Sequence, residues 1–599
     1  MNTTKILRRT QVALALAAIG GGLATPAHAF KFDLDNGVSG SFDSTISYGV
    51  QRRMQSPNKS MIGNDNGGNV PTTGPLGELV NGPGQAGSAI PDFNYTNVDD
   101  GTLNYKKGDI VSAVLKGTHE LSLSERGNWA VLGRFTWSSD FAAIHTDRTP
   151  LHSEAKNALK QDVSLLDLWV SKDFKLGDNS AKFKFGNQVI NWGEDIFIFG
   201  GINTIHAFDL RKAHIPGTQV KEILIPAPMA SLSTALGGGF STEMYYQFAW
   251  NGFKLDPAGT YWSTADFLGK GGKRGAFFPT SVSNPFFALP GGDFDPTRGR
   301  TLDWIAANGA GAIPVERDKP KRSGQYGINL RYKPPGGDTE YAAYYVRYHD
   351  KLPFVGFKTN GVGTPNLLGL TAVEQYGEDR NLFGLSMNTK VGDWAFGAEL
   401  SYRPKDSVAV DPTVPTQTGS RSRLQYNLAA LSNNFAAPAM ANGYSNERKF
   451  QAHATAFTWL PPELTRALGA ADGAFLAEVA VTHYPGLKLN GEIPYLLNNY
   501  ALPDKTSFGY VAEVSLTYAN VFNSGWTMTP IIDFYHDVKG TSPNTIPFIE
   551  GRKAVAIGIT FDYHNQWKVN LGYSTFFGGG NLNLLRDRDV ASATVSYTF

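Results

Sequence analysis

The chain has 599 residues, with 54 basic and 53 acidic side chains and a formal net charge of +1. This balance argues against a nucleic-acid-binding protein, because such proteins carry a basic patch. The sequence contains no cysteine, so it has neither a disulfide framework nor a cysteine for lipid attachment. Aromatic residues make up 12% and glycines number 66, whereas charged residues make up only 18%. This composition is unlike that of a soluble helical protein and favours one large β structure.

The first predicted element is a secretory signal peptide. Basic residues precede an apolar run over residues 12–23, and Ala27-His28-Ala29 provides a small-x-small cleavage site. We expect cleavage near Ala29, giving a signal peptide over 1–29 and a mature chain over 30–599. Removal of the signal peptide takes away three of the 54 basic groups, leaving 51 against 53 acidic. The mature chain is therefore nearly neutral.

The mature chain shows strict alternation of apolar and polar residues, which is typical of β-strands with two different faces. In one segment, Trp567, Leu571 and Tyr573 share a face while Lys568 and Asn570 share the other. Aromatic residues stand at both ends of such apolar faces, as the two interfacial girdles of a membrane barrel require. Taken in chain order, the predicted strands lie near 38–52, 109–123, 128–142, 162–175, 180–191, 220–235, 239–251, 323–334, 338–350, 378–391, 393–404, 446–460, 473–485, 505–519, 525–538, 551–564, 566–577 and 588–599.

The connections between these strands alternate in length. Turns such as 391–393 and 564–566 are short, whereas loops such as 53–107, 192–219 and 252–322 are long. Short turns on the periplasmic side and long loops on the extracellular side are the pattern of a bacterial outer-membrane barrel. The predicted fold is therefore all-β: a transmembrane antiparallel β-barrel of about 18 strands, within a range of about 16 to 20, in the Gram-negative outer membrane.

Three stretches carry a family resemblance. They are residues 97–109, residues 186–194 with their continuation to Glu222, and residues 394–404. The chain resembles a family of proteobacterial outer-membrane proteins catalogued as a domain of unknown function, in the thirteen-hundred-and-two series. The resemblance implies traffic in hydrophobic compounds, a periplasmic lipoprotein-like partner and an inner-membrane exporter of the resistance-nodulation-division type. It brings no catalytic residues.

The sequence contains no recognisable catalytic machinery. A G-x-S-x-G elbow, an H-E-x-x-H zinc motif, a P-loop and an EF-hand loop are all missing. The eleven histidines are scattered, without metal-ligand spacing. We therefore expect a protein that is not an enzyme and that uses no cofactor or metal.

Charged residues also occur on the predicted inward faces of the strands. Two interpretations remain open, namely that these charges hydrate and cross-link the barrel interior, or that they select the charge of a solute. The residues are Arg347, Glu399, Arg403, Glu478, Glu513, Asp533, Asp562 and Lys568.

Two long loops are unusually apolar for segments that face water. They either pack on each other and narrow a wide barrel, or form an apolar entrance and binding groove. From the loop 192–230 and the segment 276–290, the candidate lining residues are Trp192, Phe197, Phe199, Phe208, Phe277, Phe278, Phe286 and Phe287. The charged members of the first loop, from Glu194 to Lys212, are expected to fold inward and to be paired.

The last strand ends the chain with Val595, Tyr597 and Phe599 on one face. Such a strand is what we expect the outer-membrane assembly machinery to recognise. The predicted function is a channel that passes hydrophobic or amphipathic small molecules across the outer membrane. Two alternatives are a general diffusion porin for hydrophilic solutes and a barrel with a structural or surface-interaction role.

Overall fold

The computed structural model describes residues 30–34, 37–70, 95–276, 312–359, 370–411, 440–490, 492–499 and 501–599. Within these ranges, eighteen antiparallel strands form one closed barrel, and each strand pairs with the barrel strands before and after it in sequence. The first strand closes the barrel by pairing Thr45–Arg53 with Thr598–Val590 of the last. The predicted eighteen-stranded barrel is confirmed. The predicted signal peptide lies outside the described residues.

The barrel strands are β1 Val38–Arg53, β2 Ile110–Glu125, β3 Trp129–Asp140, β4 Asp162–Leu176, β5 Asn179–Gln188, β6 Ala227–Gly237, β7 Phe240–Gln247, β8 Gln325–Tyr332, β9 Glu340–Tyr348, β10 Arg380–Val391, β11 Trp394–Ala409, β12 Tyr444–Trp459, β13 Asp472–His483, β14 Thr506–Val521, β15 Trp526–Lys539, β16 Lys553–Tyr563, β17 Trp567–Phe577 and β18 Val590–Thr598.

One predicted strand was wrong in its extent. The prediction placed a strand over 220–235, but β6 begins only at Ala227. The preceding residues form a helical turn, Val220–Ile223, and a two-residue strand, Leu224–Ile225. The physical reason is that the Glu222 carboxylate in this turn is held by a buried ion pair inside the barrel, which takes the segment away from the wall.

The two faces of the barrel wall differ sharply in polarity. Ile557, Leu571 and Val595 point outward and are 44%, 45% and 39% exposed. Thr560 and Asn570 point inward, where Thr560 Oγ1 donates to Asn570 Oδ1 at 2.7 Å. Because successive residues of a strand face opposite sides, the sequence alternation becomes an apolar outer surface and a polar interior. A barrel that spans a bilayer presents such an outer surface to lipid.

The turns at one end of the barrel are short. Between β16 and β17, His564 and Asn565 adopt φ of 52° and 58°, the left-handed pair of a type I′ turn, whose twist matches that of the strands it joins. The turn between β12 and β13 is longer and contains the helix Pro462–Ala467. At this same end, the strand Phe30–Asp33 pairs with Phe42–Ser39 of β1, beyond the end of β18.

The opposite end carries the long loops. Five short strands there form a second sheet, in the order Arg274–Ala276, Ala312–Arg317, Leu370–Gln375, Phe354–Thr359 and Met440–Ala441. The α-helices of the long loops are Asp100–Leu103, Ser153–Lys160, Leu210–Ala213 and Val220–Ile223. The 3-10 helices are Lys59–Met61, Asn64–Asn66, Pro543–Thr545 and Gly580–Leu582.

Among the described residues, no helix is long and apolar enough to cross a membrane.

Candidate functional site

The loop between β5 and β6, residues 189–226, folds into the barrel; we call it the inner loop. Its first anchor is Trp192, whose Nε1 donates to Glu243 Oε2 on β7 at 2.7 Å. The indole packs between the rings of Tyr245 and Tyr344, at centroid distances of 5.3 and 5.7 Å. Trp192 is only 1% exposed. It therefore fastens the inner loop to the wall and does not line open space, which corrects its assignment as a lining residue.

A buried carboxylate on β13 holds the main chain of the inner loop. The N–H groups of Ile196, Phe197 and Ile198 donate to Glu478 Oε2 at 3.2, 2.5 and 3.1 Å. The other oxygen, Oε1, lies 2.6 Å from His453 Nδ1 on β12, and both side chains are fully buried. Hydrogen bonds to an ionised acceptor are among the stronger ones in proteins. Glu478 thus ties three consecutive residues of the inner loop to the barrel.

Two further residues of the barrel wall bind the main chain of the inner loop on either side of this segment. Glu399 on β11 accepts from the Glu194 N–H at 2.5 Å and from the Ile202 N–H at 2.8 Å. Arg403 Nη2, on the same strand, donates to the carbonyl oxygens of Gly200 and Gly201, each at 2.7 Å. A Cβ atom on Gly201 would overlap Glu399 Oε1, so a larger residue at this position would push the carboxylate away from the main chain that it binds.

The sequence placed Glu399, Arg403 and Glu478 inside the barrel but did not reveal that they bind main-chain groups of the inner loop. These partners lie about 200 to 280 residues away along the chain. The Gly200-Gly201 pair was the only local signal, since it marked a place where backbone approaches something closely.

The second half of the inner loop crosses to the opposite wall. Lys116 Nζ on β2 forms an ion pair with Glu222 Oε2 at 2.7 Å, with both side chains at most 5% exposed. Arg211 Nη2 pairs with Asp162 Oδ2 at the start of β4 at 2.7 Å. Asp209 Oδ1 accepts from the Lys212 N–H at 3.1 Å. The predicted inward folding and pairing of this loop's charges is confirmed for Asp209, Arg211 and Lys212. It is wrong for Asp195, which lies near the carboxyl groups of Glu399 and Glu478 and forms no ion pair with any described residue.

Among the ionisable groups of the inner loop with shifted pKa values are the buried His206 and the half-buried Asp195. His206 Nε2 accepts from the Ile190 N–H at 2.8 Å, so this nitrogen carries no proton. Burial, followed by the charge of Lys351, lowers the pKa of His206 to about 3. Burial, followed by the carboxyl groups of Glu399 and Glu478, raises the pKa of Asp195 well above its usual range.

Replacing Asp195 by asparagine is expected to remove a loss of stability that sets in as pH rises. A carboxyl group whose pKa is raised on folding binds a proton in the folded state, so stability falls as pH rises from the unfolded pKa towards the folded one. As pH rises from about 5 to about 8, above the ordinary pKa of an aspartate, wild type should therefore lose stability relative to Asp195→Asn. Urea unfolding of the liposome-inserted protein at both pH values measures this. Asp147→Asn, a substitution at a more exposed carboxylate paired with Lys106, is the matched control. Equal pH dependence of stability in wild type and Asp195→Asn would contradict the raised pKa of Asp195.

Three aromatic rings form a row inside the barrel; Phe199 is exposed, whereas Phe208 and Phe253, the latter from the loop after β7, are half-buried. The Phe199 ring is 45% exposed and lies 4.9 Å from the Phe208 ring, which lies 5.3 Å from Phe253. The Phe199 carbonyl oxygen accepts from Gln451 Nε2 on β12 at 2.9 Å, so its main chain lies against the inner wall. An exposed ring in this position faces the remaining lumen.

The other predicted lining residues divide into two groups. Phe197 is half-buried and lies 6.3 Å from the ring of Tyr535, an inward residue of β15. The remaining predicted residues lie outside the described residues; these are Phe277, Phe278, Phe286 and Phe287.

The inner loop leaves one part of the wall accessible. Under the loop, Ser401 and Gln451 are 0% and 1% exposed. On β16 and β17, by contrast, Asp562 and Lys568 form an ion pair at 3.2 Å with 15% and 27% of their side chains exposed. The inward residues around this pair are small or neutral polar ones, partly accessible: Thr529, Ala556, Gly558, Thr560, Asn570, Gly572 and Ser574.

The remaining lumen charges lie elsewhere. Arg347 Nη2, near the long-loop end of β9, pairs with Asp379 Oδ1 at 3.1 Å. Glu513 and Asp533 face each other across β14 and β15. The accessible part of the inner wall on β16 and β17 is therefore polar and weakly charged.

Among solved structures, the chain is similar to a BenF-like porin from Pseudomonas fluorescens Pf-5, with 9% identity, a TM-score of 0.38 and coverage of 94% of this chain and 98% of that one. It is also similar to the outer membrane protein opdK from Pseudomonas aeruginosa, with 10% identity, a TM-score of 0.37 and coverage of 94% and 98%. At these scores, neither similarity bears on what this chain does.

No curated protein matches the sequence. A family model described as "Protein of unknown function (DUF1302)" matches residues 10–599, which is essentially the whole chain. The predicted family resemblance is confirmed, and the chain belongs to the DUF1302 family.

Proposed function

We propose that the protein is an outer-membrane channel for amphipathic or hydrophobic small molecules. A closed barrel leaves no unpaired strand edge in lipid, and its apolar outer surface suits a bilayer. The observation that carries the solute class is the Phe199 ring, which is exposed inside the barrel and packs edge-on against the half-buried Phe208 ring. Other inward residues, such as Thr560 and Asn570, are polar, so a solute with one apolar and one polar side finds partners for both.

The aromatic row provides the first test. Changing both Phe199 and Phe208 to serine is expected to lower the flux of an amphipathic aromatic solute into proteoliposomes several-fold, because the apolar contact is lost. Flux of a sugar of similar size should stay the same or rise, because the passage becomes wider and more polar. Changing both residues to leucine keeps an apolar surface and should preserve most of the amphipathic flux.

A diffusion porin for hydrophilic solutes is the second candidate function, favoured by the polar wall around Thr560 and Asn570. That function predicts equal effects of the serine variant on amphipathic and hydrophilic solutes. Such a result, obtained with correctly folded protein, would replace the first proposal by the second.

The last residue is the basis for a proposal about assembly. Phe599 exchanges two main-chain hydrogen bonds with Ser44 of β1, each at 2.9 Å, and its ring stacks on Tyr597 at 5.7 Å. The Phe599 ring is 48% exposed on the outer surface, so it is available for recognition during insertion. We take the barrel-assembly machinery to be the partner that reads this strand.

Deleting Phe599 is expected to reduce strongly the amount of heat-modifiable protein in outer-membrane fractions. The conservative variant Phe599→Tyr keeps an aromatic terminus and should assemble nearly normally. Wild-type levels of folded protein after the deletion would show that Phe599 serves only as a lipid-facing residue of β18.

A further inference from the structure

A cavity lies between the wall formed by β1 to β3 and the second half of the inner loop. Its empty volume is about 470 Å³, part of which is open to solvent. The helix Ser153–Lys160 and the loop after β7 complete its lining, through residues such as Leu159 and Trp262. The aromatic row formed by Phe199 and its neighbours is not part of this lining. Because a cavity of about 150 Å³ already holds a benzene ring, the space suffices for a small organic molecule.

The charged groups that line the cavity have partners within the chain. Arg211 Nη2 pairs with Asp162 Oδ2 at 2.7 Å, and His214 Nδ1 lies 3.0 Å from Asp256 Oδ2. The Asp140 carboxylate accepts hydrogen bonds at 2.7 to 3.0 Å from one hydroxyl and from three main-chain N–H groups. A charged ligand would find no free opposite charge here, and losing its hydration would be costly. The cavity therefore favours an uncharged ligand.

Two polar side chains of the lining remain open to a ligand. Ser138 on β3 is 8% exposed, and its hydroxyl group forms no hydrogen bond with any described residue. The His214 ring stacks on Trp262 at a centroid distance of 4.6 Å. Its Nδ1 faces both carboxylate oxygens of Asp256, at 3.2 and 3.0 Å, so Nδ1 carries the proton and Nε2 of the neutral ring is an acceptor. Within the described part of the chain, this Nε2 receives no hydrogen bond.

We propose that the cavity is a binding site for an uncharged, phenol-like molecule. The ring of the ligand contacts Val114, Leu159 and Ile215, and its hydroxyl group donates to His214 Nε2 and accepts from Ser138 Oγ. Small-molecule sites commonly combine an apolar lining with a few placed polar groups. For a role in transport, this inference rests on the proposed channel function, to which it adds a solute class. The competing occupant is water alone.

The test uses the full-length mature protein folded in a non-ionic detergent at neutral pH. Fluorine NMR follows the binding of para-fluorophenol, with empty micelles as the blank. Fluorobenzene lacks the hydroxyl group, and para-fluorobenzoate carries a negative charge. Wild type should bind para-fluorophenol saturably and roughly fivefold more tightly than fluorobenzene, because the latter cannot donate a hydrogen bond. Tighter binding of the benzoate, or equal binding of all three compounds, would overturn the proposal.

Variants place the binding in the cavity. Ser138→Leu fills the cavity from β3 and removes the free hydroxyl group, so para-fluorophenol should bind roughly tenfold more weakly or worse. Ser139→Leu adds the same side chain on the outward face of the strand and should bind as wild type does. His214→Phe keeps a ring against Trp262 but removes Nε2, and should bind para-fluorophenol no better than fluorobenzene. Wild-type affinity for para-fluorophenol in a folded Ser138→Leu or His214→Phe variant would show that the cavity holds water alone.

Planar-bilayer recordings separate this inference from the channel function. Saturable binding that depends on Ser138 and His214, in a protein that carries no current, would support the binding site and reject the channel. Current in a protein without saturable binding would support the channel and reject the binding site.

Discussion

Replacing Glu478 by alanine is expected to free the first half of the inner loop and to raise single-channel conductance several-fold. The substitution removes the acceptor of three consecutive N–H groups, those of Ile196, Phe197 and Ile198. Each buried donor left without a partner costs about 1–3 kcal/mol, so the loop gains more by leaving the wall and hydrating than by staying. The barrel ladder does not involve this side chain, so the barrel should persist.

Graded variants make this prediction sharper. Glu478→Gln keeps one carbonyl acceptor and should give an intermediate conductance. Glu316→Ala, at an exposed carboxylate of the long-loop end paired with Lys358, should leave the conductance unchanged. Planar-bilayer recordings with folded protein measure all three. Wild-type conductance in a folded Glu478→Ala variant would show that the inner loop does not limit the passage.

The second large effect concerns the outer surface. Leu571→Arg places a charge on an outward residue in the middle of β17, where Leu571 is 45% exposed and pairs with Ile559 and Ala593. A charge facing lipid near the middle of the bilayer costs about 2–4 kcal/mol. The neighbouring substitution Asn570→Arg points into the lumen and should cost far less.

Urea unfolding in liposomes compares the two arginine variants directly. They differ by one position in the chain and by the face on which the charge lies, so each is a control for the other. Equal losses in the free energy of unfolding would mean that this strand does not separate lipid from water as described.

The wall of the barrel could be predicted from the sequence because its signal is local. Alternation with period two places Leu571 outside and Asn570 inside whatever the rest of the chain does. The same local rule failed at residues 220–226. There the apolar residues Ile223 and Ile225 fit the strand pattern. However, Glu222 forms an ion pair inside the barrel with Lys116, which is more than a hundred residues away in the sequence.

The site was less predictable than the wall, because its contacts are long-range. The composition of the inner loop indicated that it folds inward, and Phe199 and Phe208 were among the residues expected to line the passage. Trp192 has the same apolar character, yet it is buried because Glu243 on β7 offers an acceptor for its indole N–H. Apolar side chains in a loop indicate that the loop is either buried in the barrel or lines the passage. Which of the two applies depends on contacts with residues that are far away in the sequence.

The contacts between the barrel wall and the main chain of the inner loop have a consequence for the evolution of solute preference. Glu478, Glu399 and Arg403 bind peptide groups, which every residue possesses, and therefore impose little on the side chains at Phe197 and Phe199. Substitutions at these two positions can change the width and polarity of the passage while the main chain of the inner loop keeps the same conformation. A library randomised at a few lumen positions should thus yield variants with new solute preferences on an unchanged scaffold, as natural divergence within such a family would.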